Sequence, residues 1–113
     1  LQATAVDNLS LLAAGPKPPN PADLLGSRKL DEVLVRLQGE ADIILFDAPP
    51  VIAVTDAAVL GSKVDGVLLV VSAGKTRREH AERAKETLER ARVRIVGATL
   101  TNAPTDGAVE GYY

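Results

Sequence analysis

The sequence predicts an α/β fold: a parallel sheet of about four strands flanked by helices. Three observations carry this expectation. Apolar runs of strand length recur along the chain, at Asn8–Ala13, Asp42–Asp47, Gly66–Ser72 and Arg94–Leu100. The middle two are continuous Val, Leu and Ile stretches with no polar alternation, the pattern of strands covered on both faces. Stretches with helical periodicity separate the runs, and such alternation builds layered sheets with crossover helices.

The helical stretches follow from local chemistry. Asn20-Pro21-Ala22-Asp23 opens a helix, with Asn as N-cap, Pro at the first position and Asp in the first turn. Gly26 and Ser27 break or kink it. Leu30, Val33, Leu34 and Leu37 then share one apolar face. Thr55-Asp56 caps a short helix through Leu60. Thr76-Arg77-Arg78-Glu79 has the pattern of a capping box. It leads into a helix with an apolar stripe of Ala81, Ala84, Leu88 and Ala91. Gly15–Pro21 holds four of the seven prolines and reads as a stiff, extended connection. Residues 1–106 read as one domain part, and Gly107–Tyr113 as a loose tail.

Composition narrows the function classes. The chain has 113 residues, 46% of them hydrophobic and 25% charged, as expected of one globular domain. It has no Cys, which excludes disulfides, Cys-ligated zinc and thiol nucleophiles. One His and no Met or Trp leave little for a His-based metal site. No apolar run approaches the roughly 20 residues that cross a bilayer. The first residues lack a basic segment followed by an apolar one, so a cytoplasmic location is expected. Residues 75–94 carry eight basic and four acidic side chains, within a formal net charge of −2 for the whole. That segment reads as a solvated helix laced with pairs such as Glu79–Arg83 and Glu86–Arg90. No aromatic platform accompanies the charge, so no nucleic-acid partner is expected.

The most informative stretch is Ile43-Ile44-Leu45-Phe46-Asp47-Ala48-Pro49-Pro50. Four apolar residues end in an acid, and two prolines then turn the chain away. Parallel α/β sheets bind ligands outside the carboxyl ends of their strands. An Asp there occupies the Walker B position of nucleotide hydrolases, where a carboxylate holds Mg²⁺, usually through water. The other reading of Asp47 is a turn cap at a strand end. Gly74-Lys75-Thr76 also lies between a strand and a helix, the context of a phosphate loop. The full pattern needs a Gly five residues before Gly74, and Leu69 stands there. His80 reads as a surface residue. Tyr112 and Tyr113 read either as simple tail residues or as phosphate acceptors in a docking segment.

Five segments in order resemble one family, the bacterial tyrosine kinases (BY-kinases) that regulate capsule and exopolysaccharide export. Leu9–Pro21 (LSLLAAGPKPPNP) is similar to the family's strand and its Pro-Pro-Asn-Pro connection. Asp23–Ser27 (DLLGS) resembles the acidic-Leu-Leu-x-Ser that follows. Asp42–Asp56 (DIILFDAPPVIAVTD) resembles the Walker B strand, Pro-Pro turn and Thr-Asp. Asp65–Glu79 (DGVLLVVSAGKTRRE) resembles the next strand and the start of its helix. Val96-Gly97 and the tyrosine ending resemble the last strand and the tyrosine-rich tail.

The resemblance implies a partial P-loop-NTPase-like domain, the C-terminal part of a kinase domain. It implies ATP-dependent phosphorylation of tyrosines, with Tyr112 and Tyr113 as acceptors in the tail offered to a neighbouring subunit of a homo-oligomer. Asp47 falls on the Walker B aspartate, a catalytic residue and Mg²⁺-site residue. A membrane-embedded, chain-length-determining activator is the implied partner, which would place the protein at the inner face of the plasma membrane. Family members carry a Walker A loop and an acidic Walker A′ strand before the Leu9-like strand, where this sequence has eight residues. These residues alone are therefore expected to bind ATP weakly or not at all. The family often sets an adenine-contacting Asn four residues after the last-strand Gly. Thr101 stands at that position and Asn102 one later. On a continuing strand that offset reverses the face, so adenine contact by Asn102 requires the strand to end before it. Two other readings are a non-catalytic module that pairs with another chain, and a related septum-positioning or partitioning ATPase.

Overall fold

The computed structural model describes residues 1–16 and 18–104. The elements run β1 (Gln2–Ala3), β2 (Ser10–Leu11), α1 (Pro21–Leu25), α2 (Arg28–Gln38), α3 (Asp56–Gly61), β3 (Val67–Ser72), α4 (Arg78–Arg90) and β4 (Ile95–Thr101). Mixed α/β architecture is therefore present, and its centre is a βαβ unit. β3 and β4 pair in parallel, from Val67 opposite Ile95 to Ser72 opposite Thr101. A parallel pair needs a crossover, and α4 supplies it.

The register slips by one residue between Val67 and Leu68, so Val96 is the extra residue of a bulge. Gly66 sits against that bulge, and a Cβ added there would collide with the Val96 side chain. The buried apolar residues are Leu34, Ala84, Leu88 and Val93, with Leu88 the most enclosed at 1% exposure. Ala84 and Leu88 come from the stripe the sequence marks on α4, which packs on β4 and on α3. Gly61 ends α3 under this core, where an added Cβ would lie 3.0 Å from Val93 Cγ1. An ion pair between Lys63 and Asp31 ties the end of α3 to α2.

Breaks and caps follow the side chains. α1 starts at Pro21 as expected, and the chain interrupts at Gly26–Ser27. The Ser27 hydroxyl donates to the Leu24 carbonyl at 2.7 Å, which satisfies one orphan carbonyl of α1 while Ser27 becomes N-cap of α2. The capping box at Thr76 does not form. α4 begins one residue later, with Arg77 as N-cap, because the Thr76 hydroxyl instead accepts the Ser72 N–H at 3.1 Å.

The sheet differs from the expected four parallel strands. The first apolar run is paired only at Ser10–Leu11, and that pair is antiparallel to Gln2–Ala3. Thr4 closes the hairpin, its hydroxyl donating to Leu9 O at 2.9 Å and accepting the Val6 N–H at 3.1 Å. Asp42–Asp47 has no ladder partner among the described residues. Ile43 is 79% exposed and Leu45 90%. A strand exists only through its neighbours' hydrogen bonds, and a run suited to burial on two faces meets neither a sheet edge nor a covering layer here. The sheet also carries exposed apolar side chains on both of its strands. Leu68, Val70, Val96 and Leu100 are each more than half exposed. The radius of gyration is 16.5 Å, against about 13 Å for a compact domain of this length.

Candidate functional site

The carboxyl ends of β3 and β4 carry the most ordered polar cluster. β3 ends in Ser72, and its carbonyl accepts the N–H groups of Thr76 at 2.8 Å and Lys75 at 3.2 Å. The Ser72 N–H returns to the Thr76 hydroxyl. Gly74, at the tip of this turn, has a φ of +72°, a conformation glycine adopts without a Cβ penalty. The turn decides the meaning of Gly74-Lys75-Thr76. A phosphate loop needs its backbone N–H groups pointing at the ligand. Here the N–H groups of Lys75 and Thr76 are already used by Ser72 O, while the Lys75 side chain is exposed. The segment is a closed turn.

β4 reaches the same edge. Thr101 O accepts the Ala73 N–H at 2.8 Å, and the Thr101 hydroxyl donates to Val71 O at 3.4 Å. The strand ends there. Asn102 is the first residue beyond it, with a φ of +54°. The alternation of faces thus stops before Asn102, and its direction is set by the left-handed backbone, which Asn tolerates better than most residues. Its amide Nδ2 donates to Ser72 Oγ at 2.9 Å. Ser72 is the residue that sequence reasoning passed over. The only signal was a hydroxyl closing an apolar run directly before a turn.

Asp47 stands on a different segment. It is exposed, at the end of the unpaired 42–47 run, and accepts no hydrogen bond from a described residue. The prolines after it behave as expected. Ala53 N–H donates to Pro50 O at 2.9 Å, closing a turn that leads into α3. Between that turn and α4 lies an open cleft of about 490 Å³, bounded by Val51, Ile52, Val54, Asp56, Arg83 and Thr87. No hydrogen bond or ion pair joins Asp47 to Asn102 or to the β3–α4 turn. Among the described residues, no group of three His, Asp or Glu side chains could hold a metal ion. Tyr112 and Tyr113 lie outside the described residues.

α4 carries the surface ion pairs foreseen for it, with one exchange. Glu86 pairs with Arg90 at 3.6 Å, joined by Arg78–Glu82 at 2.9 Å and Lys85–Glu89 at 3.3 Å. Glu79 and Arg83 do not pair, and Arg83 faces the open cleft instead. His80 is exposed on the same helix. These exposed pairs contribute little to stability, about 0.3–0.5 kcal/mol each. No helix among the described residues is long and apolar enough to cross a membrane.

No protein-family profile matches the chain. Curated proteins do. The chain is 40% identical over its whole length to the tyrosine-protein kinase YwqD of Bacillus subtilis, covering 48% of that protein. It is 34% identical over 97% of its length to the tyrosine-protein kinase CpsD of Streptococcus agalactiae, again covering 48% of the relative. The tyrosine-protein kinase wzc of Salmonella typhi is 31% identical over 88% of this chain, a match covering 14% of that protein. The chain thus spans about half the length of the first curated relatives it matches. Identity of 31–40% over 88–100% of the chain to tyrosine-protein kinases of three bacteria places the chain in the bacterial tyrosine-kinase family.

Proposed function

We propose that these residues form the carboxyl-terminal part of an ATP-dependent protein-tyrosine autokinase that regulates capsular or exopolysaccharide synthesis and export. The observation that carries this is 40% identity across the whole chain to a tyrosine-protein kinase. In this reading residues 1–106 belong to a P-loop-NTPase-like nucleotide-binding domain, and 42–47 becomes a parallel strand once neighbouring strands pair with it. Asp47 then lies at the carboxyl end of a sheet strand, the side where ligands bind. It offers one carboxylate to Mg²⁺, through water. One carboxylate is not a metal cage, and Mg²⁺ suits such a site because it keeps several waters and takes phosphate oxygens as further ligands. Bound Mg²⁺ would neutralise charge on the phosphates of ATP. Asn102 contacts the adenine, and Tyr112 and Tyr113 accept phosphate on the tail of a neighbouring subunit. A membrane-embedded activator that sets polysaccharide chain length would hold the assembly at the inner membrane face.

The test is Asp47→Asn in the full-length protein that contains these residues. The exchange keeps size and removes the charge. Phosphotyrosine on the purified protein, read by immunoblot after incubation with Mg·ATP, should disappear. Unchanged phosphotyrosine would refute the role given to Asp47.

A second reading rests on the exposed apolar surface. Ile43, Leu45 and the apolar side chains Leu68, Val70, Val96 and Leu100 of β3 and β4 are open, which favours a non-catalytic module completed by another chain. The two readings separate on stoichiometry and chemistry. A module of the second kind forms a stable complex with its partner and yields no phosphotyrosine.

A further inference from the structure

We infer that the open cleft between the 51–56 turn and α4 is a docking site for the acidic, tyrosine-ending tail of a second copy, with Arg83 as the residue that selects it. This assignment rests on the proposal that a neighbouring subunit receives the tail, and adds where the tail binds. Arg83 is the exception on its helix. Arg78, Lys85 and Arg90 each hold a glutamate one turn away, whereas Arg83 is in no ion pair with a described residue. Its side chain is exposed and borders the cleft. The cleft volume, about 490 Å³, is that of an ordinary ligand site. Thr87 beside it is fixed, its hydroxyl donating to Arg83 O at 2.8 Å. Across from Arg83 the wall is apolar, formed by Val51, Ile52 and Val54, with Ile52 44% and Val54 40% exposed. Asp56 completes the rim. It stands in the first turn of α3, where helix N–H groups offset its charge. Arg83 is thus the cleft's unanswered charge.

The tail matches this cleft in charge and in spacing. Residues 105–113 (TDGAVEGYY), outside the described residues, carry Asp106 and Glu110 and no basic side chain. Residues 75–94, which include α4, carry eight basic against four acidic side chains. Side chains of an extended segment alternate, so Glu110 and Tyr112 share one side, about 7 Å apart. That side presents a carboxylate to Arg83 and a phenol ring to the Val51–Val54 wall at the same time. Arginine takes a carboxylate through two parallel N–H bonds, which favours a tail acid over other polar groups. Tyr113 falls on the other side of the segment and stays free to accept phosphate.

The experiment titrates a fluorescently labelled peptide of residues 105–113 into the full-length protein that contains these residues. Anisotropy reads binding, and phosphotyrosine is recorded separately. Arg83→Glu should weaken binding about ten-fold or more, and Arg83→Gln about five-fold. A peptide with Glu110→Arg should bind the wild type about ten-fold more weakly and recover on Arg83→Glu. Rescue by reversing both charges is a result that a merely structural Arg83 does not give. Failure of the wild type to bind the peptide, equal affinities of wild type and Arg83→Glu, or absence of rescue overturns the inference. Binding that appears only after residues 105–113 are removed from the protein puts the chain's own tail in the cleft and overturns the assignment to a second copy. Arg83-dependent binding without phosphotyrosine upholds the docking site and refutes the kinase reading. Phosphotyrosine with Arg83-independent binding does the reverse. Circular-dichroism melts check the fold of each variant. If Arg83→Glu melts early, a Glu110→Gln peptide on the wild-type protein decides. Weaker binding than the unaltered peptide supports the contact, and equal binding refutes it.

Discussion

Leu45 and Leu88 are the same residue type at opposite extremes of exposure, and truncating each to alanine asks what encloses the 42–47 run. Leu88 is 1% exposed on the inward face of α4. Leu88→Ala removes buried methyl groups and leaves a void, at a cost of about 2–5 kcal/mol. Leu45 is 90% exposed. In the 113-residue chain Leu45→Ala should therefore shift stability by less than about 0.5 kcal/mol, as other exposed substitutions do. In the full-length protein the proposed neighbouring strands and covering layer would bury Leu45, and its truncation should cost about 2–5 kcal/mol, like that of Leu88. Urea unfolding followed by circular dichroism gives both numbers, with the midpoint carrying the change when the slope is constant. A Leu45→Ala cost below about 0.5 kcal/mol in the full-length protein would refute the idea that the 42–47 run is an interior strand. A large cost in the 113-residue chain would refute the exposed placement itself.

Two glycines test the backbone. Gly66→Ala would drive a methyl into Val96 at the bulge and should destabilise by about 1–3 kcal/mol in thermal melts, with Val96→Ala partly restoring the loss. Gly74→Ala meets no neighbour within 4 Å but forces a side chain onto a φ of +72°, so it should cost about 1–2 kcal/mol, while Gly74→Asn costs less.

Local chemistry was legible where it depends on neighbours in sequence. Pro21 starts α1, the Gly26–Ser27 break separates α1 from α2, and Ala84 and Leu88 face inward from α4 as their spacing requires. β3 and β4 were legible because each finds the other through one crossover helix. What was not legible depends on partners distant in sequence. The Asp42–Asp47 run has strand composition, yet composition cannot supply hydrogen bonds, and it stays unpaired among the described residues. Thr76 shows the same limit on a smaller scale. A capping box and a turn lock both suit a Thr, and here the hydroxyl accepts the Ser72 N–H. Asn102 was legible as a polar residue near a strand end. Its direction was not, since that turns on whether β4 stops at Thr101.

The four apolar residues Ile43–Phe46 are bounded by Asp42 and Asp47, and Pro49 and Pro50 follow two residues on. Charges and prolines flanking an exposed apolar stretch act as gatekeepers, since each like-charged pair brought together by stacking repels and each proline removes a ladder donor. Where the 42–47 run is unpaired, these flanks oppose the templating of one copy by the next. Asp47 is thus expected to serve solubility apart from any chemistry proposed for it. Neutralising it should lower the yield of soluble protein even where no nucleotide is present.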